Sequence, residues 1–170
     1  MSDETPDDET LAFAARVFAA AREGDVAALR PLLEQGLPAD LANDKGDTLL
    51  MLASYQGHAE AAALLIAHGA DPDRANDRGQ TPLAGTAFRG EIAAARALLA
   101  GGARVDAAGP DGRTALMMAA MFDRVEMVEL LLAHGADAGR RTPEGLDALG
   151  AARAMGARRT PALLEPGREG

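Results

Sequence analysis

The side chains that most often perform nucleophilic chemistry are scarce in this sequence. It contains no cysteine, which excludes a thiolate nucleophile and a Cys-ligated zinc ion. Its two serines are Ser2 and Ser54, and neither lies in the G-x-S-x-G sequence that surrounds the nucleophile of many hydrolases. The sequence therefore predicts no catalytic residue and no enzymatic activity.

Metal and cofactor sites are not predicted either. His68 and His134 both begin the sequence HGAD, and we expect them near helix C-termini, where they complement the helix dipole. Residues 71–79, DPDRANDRG, resemble a calcium-binding loop, but Ala75 stands where an oxygen ligand belongs and the glycine comes too late. The glycine-rich sequences G-x-x-x-x-G-K and G-x-G-x-x-G, which cradle phosphates, are absent.

The sequence repeats along the chain, and the repeated elements must position any functional site. Gly69, Gly102 and Gly135 are evenly spaced, at a repeat interval of about 33 residues, which is typical of solenoid proteins. Three further series keep the same repeat interval: Gly46, Gly79, Gly112 and Gly145; Thr48, Thr81 and Thr114; Leu32, Leu65, Leu98 and Leu131. The sequence therefore predicts a stack of similar units.

The sequence of each repeating unit predicts two short helices. Thr48 is suited to cap a first helix that runs to about Gln56, because its hydroxyl can accept a backbone N–H. Gly57 ends that helix, and a second helix follows from about His58 to His68, with leucines at helical spacing. The polar and glycine-rich residues that come next predict a turn or short hairpin. Helices this short are marginal alone, so successive units must stack and share a core.

Two successive units contain the sequences TPLAGTAFRG, followed by LLAGGA, and TALMMAAMFDRVEMVELLLAHGAD. They resemble the ankyrin repeat, whose signature begins T-P-L-H and ends L-L-x-x-G-A-D. The resemblance implies an all-α ankyrin-repeat solenoid of stacked helix-turn-helix units joined by hairpin-like loops. We predict an acidic disordered segment over 1–9, repeats at about 10–42, 43–75, 76–108 and 109–141, a partial repeat over 142–165, and a flexible tail over 166–170.

The chain also departs from that signature. The family's histidine is replaced at Met51, Ala84 and Met117. Asp123 replaces the glycine between the two helices, and aspartate tolerates left-handed geometry better than most residues. Gly85 lies inside a predicted helix, where it costs about 1 kcal/mol relative to alanine. We therefore expect the unit over 76–108 to be the least stable, which hydrogen exchange of residues 81–89 would test.

The composition limits the classes of partner. A formal net charge of -9 argues against nucleic-acid binding, which requires clustered Lys and Arg. We find no apolar run of about 18 residues and no basic-then-apolar leader, so we expect a cytoplasmic protein that does not contact a membrane. We also expect the protein to be monomeric on its own. One lysine among the 17 basic residues, with abundant Ala and Gly, indicates a GC-rich, bacterial genome.

The rare aromatic residues suggest where a partner binds. Tyr55, Phe88 and Met121 hold one place in successive units, at the end of each first helix; Gln56, Arg89 and Phe122 flank them. The ankyrin resemblance places this location in the concave groove. Aromatic and arginine side chains in a row are typical of binding hot spots. The alternative is that the rings cover the seam between units; Phe13 and Phe18 are expected in the core.

The predicted hairpin tips add a polar rim to this stripe. Its basic members are Lys45, Arg78 and Arg113, and acidic residues lie between them. Mixed charges of this kind affect specificity and association rate more than affinity, although a merely solvated loop would have the same composition. The sequence thus predicts a module that binds another protein through its concave face. The alternative, implied by the family resemblance alone, is an accessory or regulator of a bacterial enzyme such as a catalase-type oxidative-stress enzyme.

Overall fold

The computed structural model describes residues 6–166, and this part of the chain is helical with no β-strand. Two isolated bridges, Ala42 with Thr48 and Ala108 with Thr114, lie in the loops. The helices are α1 (Asp8–Glu23), α2 (Val26–Glu34), α3 (Leu49–Tyr55), α4 (Ala59–Ala67), α5 (Pro82–Arg89), α6 (Ile92–Ala100), α7 (Ala115–Met121), α8 (Val125–Ala133), α9 (Ala148–Ala154) and α10 (Thr160–Leu164).

The ten helices of this range form five pairs that stack in chain order. The first helices of the pairs make one row, in which α3 contacts α1 and α5, and α7 contacts α5 and α9. The second helices make a parallel row, from α2 through α4, α6 and α8 to α10. Leu65, Leu98 and Leu131, which share one place in successive units, are fully buried between the rows. The predicted helical solenoid is therefore confirmed, and its core is continuous from unit to unit.

Hydroxyl and carboxylate caps fix where each first helix begins. The buried hydroxyls of Thr48, Thr81 and Thr114 each accept a hydrogen bond from the backbone N–H three residues later, over 3.1, 3.2 and 3.3 Å. In the last pair Asp147 takes this place and accepts from the Gly150 N–H at 2.8 Å. Each cap satisfies a backbone donor that the helix leaves unpaired.

The turns between paired helices need left-handed backbone. Gly57 and Gly90 have φ angles of 86° and 77°. At the same place in the fourth unit Asp123 has a φ of 57°, and within residues 6–166 it is the one residue other than glycine with a positive φ. The expectation that aspartate substitutes for glycine here is confirmed.

The N-terminal helix differs from the prediction in two ways. Helix α1 begins at Asp8, inside the segment predicted to be disordered, because the Asp7 carboxylate accepts the Thr10 N–H at 2.8 Å and caps it. Phe13, expected in the core, is 39% exposed, so that expectation was wrong; it lies on the part of α1 that extends beyond the start of the neighbouring α3. Phe18 is partly buried against the core. The predictions for residues 1–5 and 167–170 lie outside the described residues.

Within the described range, no helix has both the length and the apolar sequence that crossing a membrane requires.

Candidate functional site

A groove of about 530 Å³ runs along the row of first helices. Its wall includes Leu52 and Tyr55 of α3, Gly85 and Phe88 of α5, and Met118 of α7. The loop tips that precede these helices form its rim. The units are stacked, so residues one repeat interval apart lie side by side along the wall.

Two aromatic rings form the centre of the wall. Tyr55 and Phe88 are stacked, with ring centroids 6.4 Å apart and planes inclined by 13°. Both rings are partly exposed and line the groove, and Gln56 lines it beside them. The structure thus brings together three of the residues that the sequence placed in a binding stripe.

The third member of the aromatic row is Phe122 rather than Met121, which corrects the predicted stripe. The Phe122 ring meets the Phe88 ring edge-on, with centroids 4.7 Å apart and an angle of 86°. Helix α7 ends at Met121, and Phe122 follows as its C-cap residue, so the last residue before the Asp123 turn carries the ring. Neither Met121 nor Phe122 lines the groove, which is lined in α7 by Met118.

Arg89, predicted to flank the stripe, also lies outside the groove lining. Its guanidinium carbon stands 5.2 Å from the centroid of the Tyr55 ring, in a cation–π contact between neighbouring units. The guanidinium also lies 3.9 Å from the Glu91 carboxylate. The Tyr55 ring, which lines the groove, thus packs against both Phe88 and Arg89 of the next unit.

The rim carries both signs of charge. Arg78 and Arg113 line the groove, as do Asp47 and Asp111. Lys45 is exposed at a tip but does not line the groove, contrary to its place in the predicted rim. Two asparagines shape these tips: the Asn43 side-chain oxygen accepts the Lys45 and Asp47 N–H groups, and Asn76 does the same for the next tip.

Among the groove residues that the sequence analysis did not assign to a binding site, four carry a periodic signal. Arg22 lies one repeat interval before Tyr55 and continues the aromatic row into the first unit. Leu52, Gly85 and Met118 each lie one helical turn before Tyr55, Phe88 and Met121, a spacing that brings side chains onto one face.

Ser54 and two of the three histidines form side-chain hydrogen bonds within the fold. Ser54 is fully buried and donates its hydroxyl to the Met51 carbonyl at 3.3 Å. His58 donates its Nε2–H to the Arg22 carbonyl, and His134 its Nδ1–H to the Leu130 carbonyl, each over 2.9 Å. His68 and His134 cap the C-termini of α4 and α8, as expected from the sequence. None of these residues lines the groove.

Comparison with known proteins identifies the family. The family model described as "Ankyrin repeats (3 copies)" matches residues 17–108, 61–142 and 87–164, which together cover most of the chain. The protein belongs to the ankyrin repeat family, whose members are generally protein-interaction modules. A curated ankyrin repeat protein of Pseudomonas aeruginosa is 55% identical over 49 residues, which is 29% of this chain and 29% of that protein. The match therefore spans less than a third of the length of this relative.

Proposed function

We propose that this protein is a non-catalytic, cytoplasmic module that binds a partner protein through the groove. The observation that carries the proposal is the stacked pair of Tyr55 and Phe88, two partly exposed rings in the middle of a groove. Rings held rigid by their own fold lose little conformational freedom on binding, which makes such side chains frequent hot spots. The alternative that the rings only cover the seam between units predicts no loss of binding when they are truncated.

The rim supports the same proposal. Arg78 and Arg113 lie on loop tips whose backbones are fixed by side-chain hydrogen bonds. Charges on such tips guide association and exclude wrong partners. An accessory role beside one enzyme, such as a catalase-type enzyme, is a special case of this proposal and stays a prediction.

Affinity capture with truncated rings tests the proposal. The protein is immobilised and exposed to a native lysate of its source organism, and retained proteins are quantified by mass spectrometry. We expect Tyr55→Ala and Phe88→Ala each to reduce retention of a specific partner about thirtyfold, which corresponds to about 2 kcal/mol for a hot-spot side chain.

Phe13→Ala is the matched control, because Phe13 is an exposed ring on α1 outside the groove. Circular dichroism and melting temperature check that each variant is folded. If both groove variants retain the partner as well as Phe13→Ala does, the groove is not the binding site.

A further inference from the structure

The wall of the groove has a gap in the middle unit. Leu52, Gly85 and Met118 occupy one place in three successive units, and all three line the groove. The leucine and methionine side chains are partly buried and pack against the core, whereas the glycine has none. A β-carbon added at Gly85 would meet a single neighbour within 4 Å, the Cδ2 atom of Tyr55 at 3.3 Å. The gap is therefore bounded by the tyrosine ring and open to the groove.

The gap lies on an apolar part of the groove wall. The apolar residues that line the groove include Leu52, Ala84, Phe88 and Met118, and the Tyr55 ring borders the gap. An aliphatic side chain placed there would be removed from water by contacts of the same kind as in a protein core. A side chain that enters the gap therefore packs directly against the Tyr55 ring.

The arginines of the groove are not all neutralised. Asp111 lies 3.7 Å from the Arg113 guanidinium, and the Asp47 carboxylate accepts a hydrogen bond from the Asn76 amide at 2.8 Å. Both acids of the lining thus have partners. Arg22 and Arg78 form no ion pair with a carboxylate among residues 6–166. The groove therefore offers two guanidinium groups, not ion-paired within the described residues, to a carboxylate of a partner.

We infer that the partner inserts an extended acidic segment, with one aliphatic side chain seated at Gly85 and carboxylates paired with Arg22 and Arg78. The inference rests on the proposed function and specifies its ligand. Guanidinium groups bind carboxylates through paired hydrogen bonds, which favours Asp or Glu beside the aliphatic residue, opposite Arg78, and again two units away toward α1, opposite Arg22. The lining extends from α1 to α7, three helix spacings of about 10 Å each, so about nine extended residues would span it.

Selection from a random peptide library tests the inference. Peptides of about ten residues, displayed on phage, are selected on the full-length protein, and the enriched sequence is synthesised with a fluorophore for anisotropy titration. We expect enriched peptides to carry Leu, Ile or Met, with one Asp or Glu close to it and another about six residues away on one side. Enrichment of basic or uncharged peptides, or failure to enrich any peptide, would overturn the inference.

Two substitutions then locate the bound peptide. We expect Gly85→Leu, which fills the gap, and Arg78→Glu, which reverses a charge, each to weaken binding about tenfold or more. The controls are Ala93→Leu and Arg96→Glu, which introduce the same side chains at exposed positions of α6 outside the groove. We expect both controls to bind as the unmodified protein does.

The same titration with Tyr55→Ala separates this inference from the proposed function. If Tyr55→Ala weakens binding while Gly85→Leu and Arg78→Glu do not, the groove remains the binding site and the inference about its ligand is wrong. If none of the three variants weakens binding, the peptide binds elsewhere and the proposed function falls with it.

Discussion

Gly109 shows how closely two loop tips approach. It holds the place that Asn43 and Asn76 occupy in the earlier units. A β-carbon at Gly109 would lie 1.8 Å from the carbonyl oxygen of Gly79, a backbone atom that cannot rotate away. The residue is therefore small because the neighbouring unit occupies the space where a side chain would stand.

We expect Gly109→Ala to lower the free energy of unfolding by about 1–3 kcal/mol, the usual cost of forcing an atom into occupied space. Urea denaturation followed by circular dichroism measures this change. Gly139→Ala is the control, because a β-carbon there meets only the Asp137 side chain, at 3.2 Å. Equal stability of the two variants would show that the tips are not packed as described.

Individual residues were predicted well where a local rule decides their role. The threonine caps and the left-handed Asp123 depend on backbone geometry within a few residues, so the sequence alone indicates them. The sequence predicted that Phe122 only flanks the aromatic stripe, because the residue one repeat interval after Phe88 is Met121. In the structure, the ring that contacts Phe88 belongs to Phe122, the next residue along the chain. Side-chain direction at a helix end depends on the following turn, which strict periodicity does not describe.

At the scale of elements, hydrogen bonds to one aspartate help to hold the last short helix in place. The Asp123 carboxylate accepts the Thr160 and Arg159 N–H groups, each at 2.9 Å, and the Arg159 guanidinium at 3.3 Å. Thr160 also donates its hydroxyl to the Ala120 carbonyl at 2.8 Å. Helix α10 has five residues and too few internal hydrogen bonds to form alone, so these bonds attach it to the preceding unit.

The hydrogen bond from the Thr160 N–H, followed by those from Arg159, lowers the pKa of Asp123 below its usual value of 3.8. A lowered pKa in the folded state means that the charged carboxylate stabilises the fold at neutral pH, and that this stabilisation is lost as the pH falls below 3.8. We expect an NMR titration of the carboxyl carbon to show a midpoint below 3.8.

The same attachment predicts faster amide exchange in α10 when Asp123 is replaced by asparagine at neutral pH. Asp44→Asn, at an exposed loop tip, should leave that exchange unchanged. A titration midpoint at or above 3.8, or unchanged exchange in Asp123→Asn, would contradict this role for Asp123.

At the scale of the whole molecule, the repeat interval determines both the core and the groove. The interval predicted which leucines meet in the core, because every unit repeats the same two helices. It did not predict the groove lining fully: Arg22 lies in the first unit, whose sequence departs most from the others, and Gly85 was considered only for its cost to helix stability. The absence of a side chain at Gly85 indicates a candidate binding position only when the residues around the gap are known.

The groove exists only if successive units stack in one row, and distances between spin labels measure this directly. Ala67, Ala133 and Glu34 hold one place in three units and are exposed near the ends of second helices. The chain has no cysteine, so cysteines introduced in pairs at these positions would be labelled specifically. Pulsed electron–electron double resonance should give about 20 Å for the pair 67/133, two layers apart, and about 30 Å for the pair 34/133, three layers apart, each as one narrow distribution. Broad distributions, or a 34/133 distance no longer than the 67/133 distance, would contradict the stacked row and the groove that depends on it.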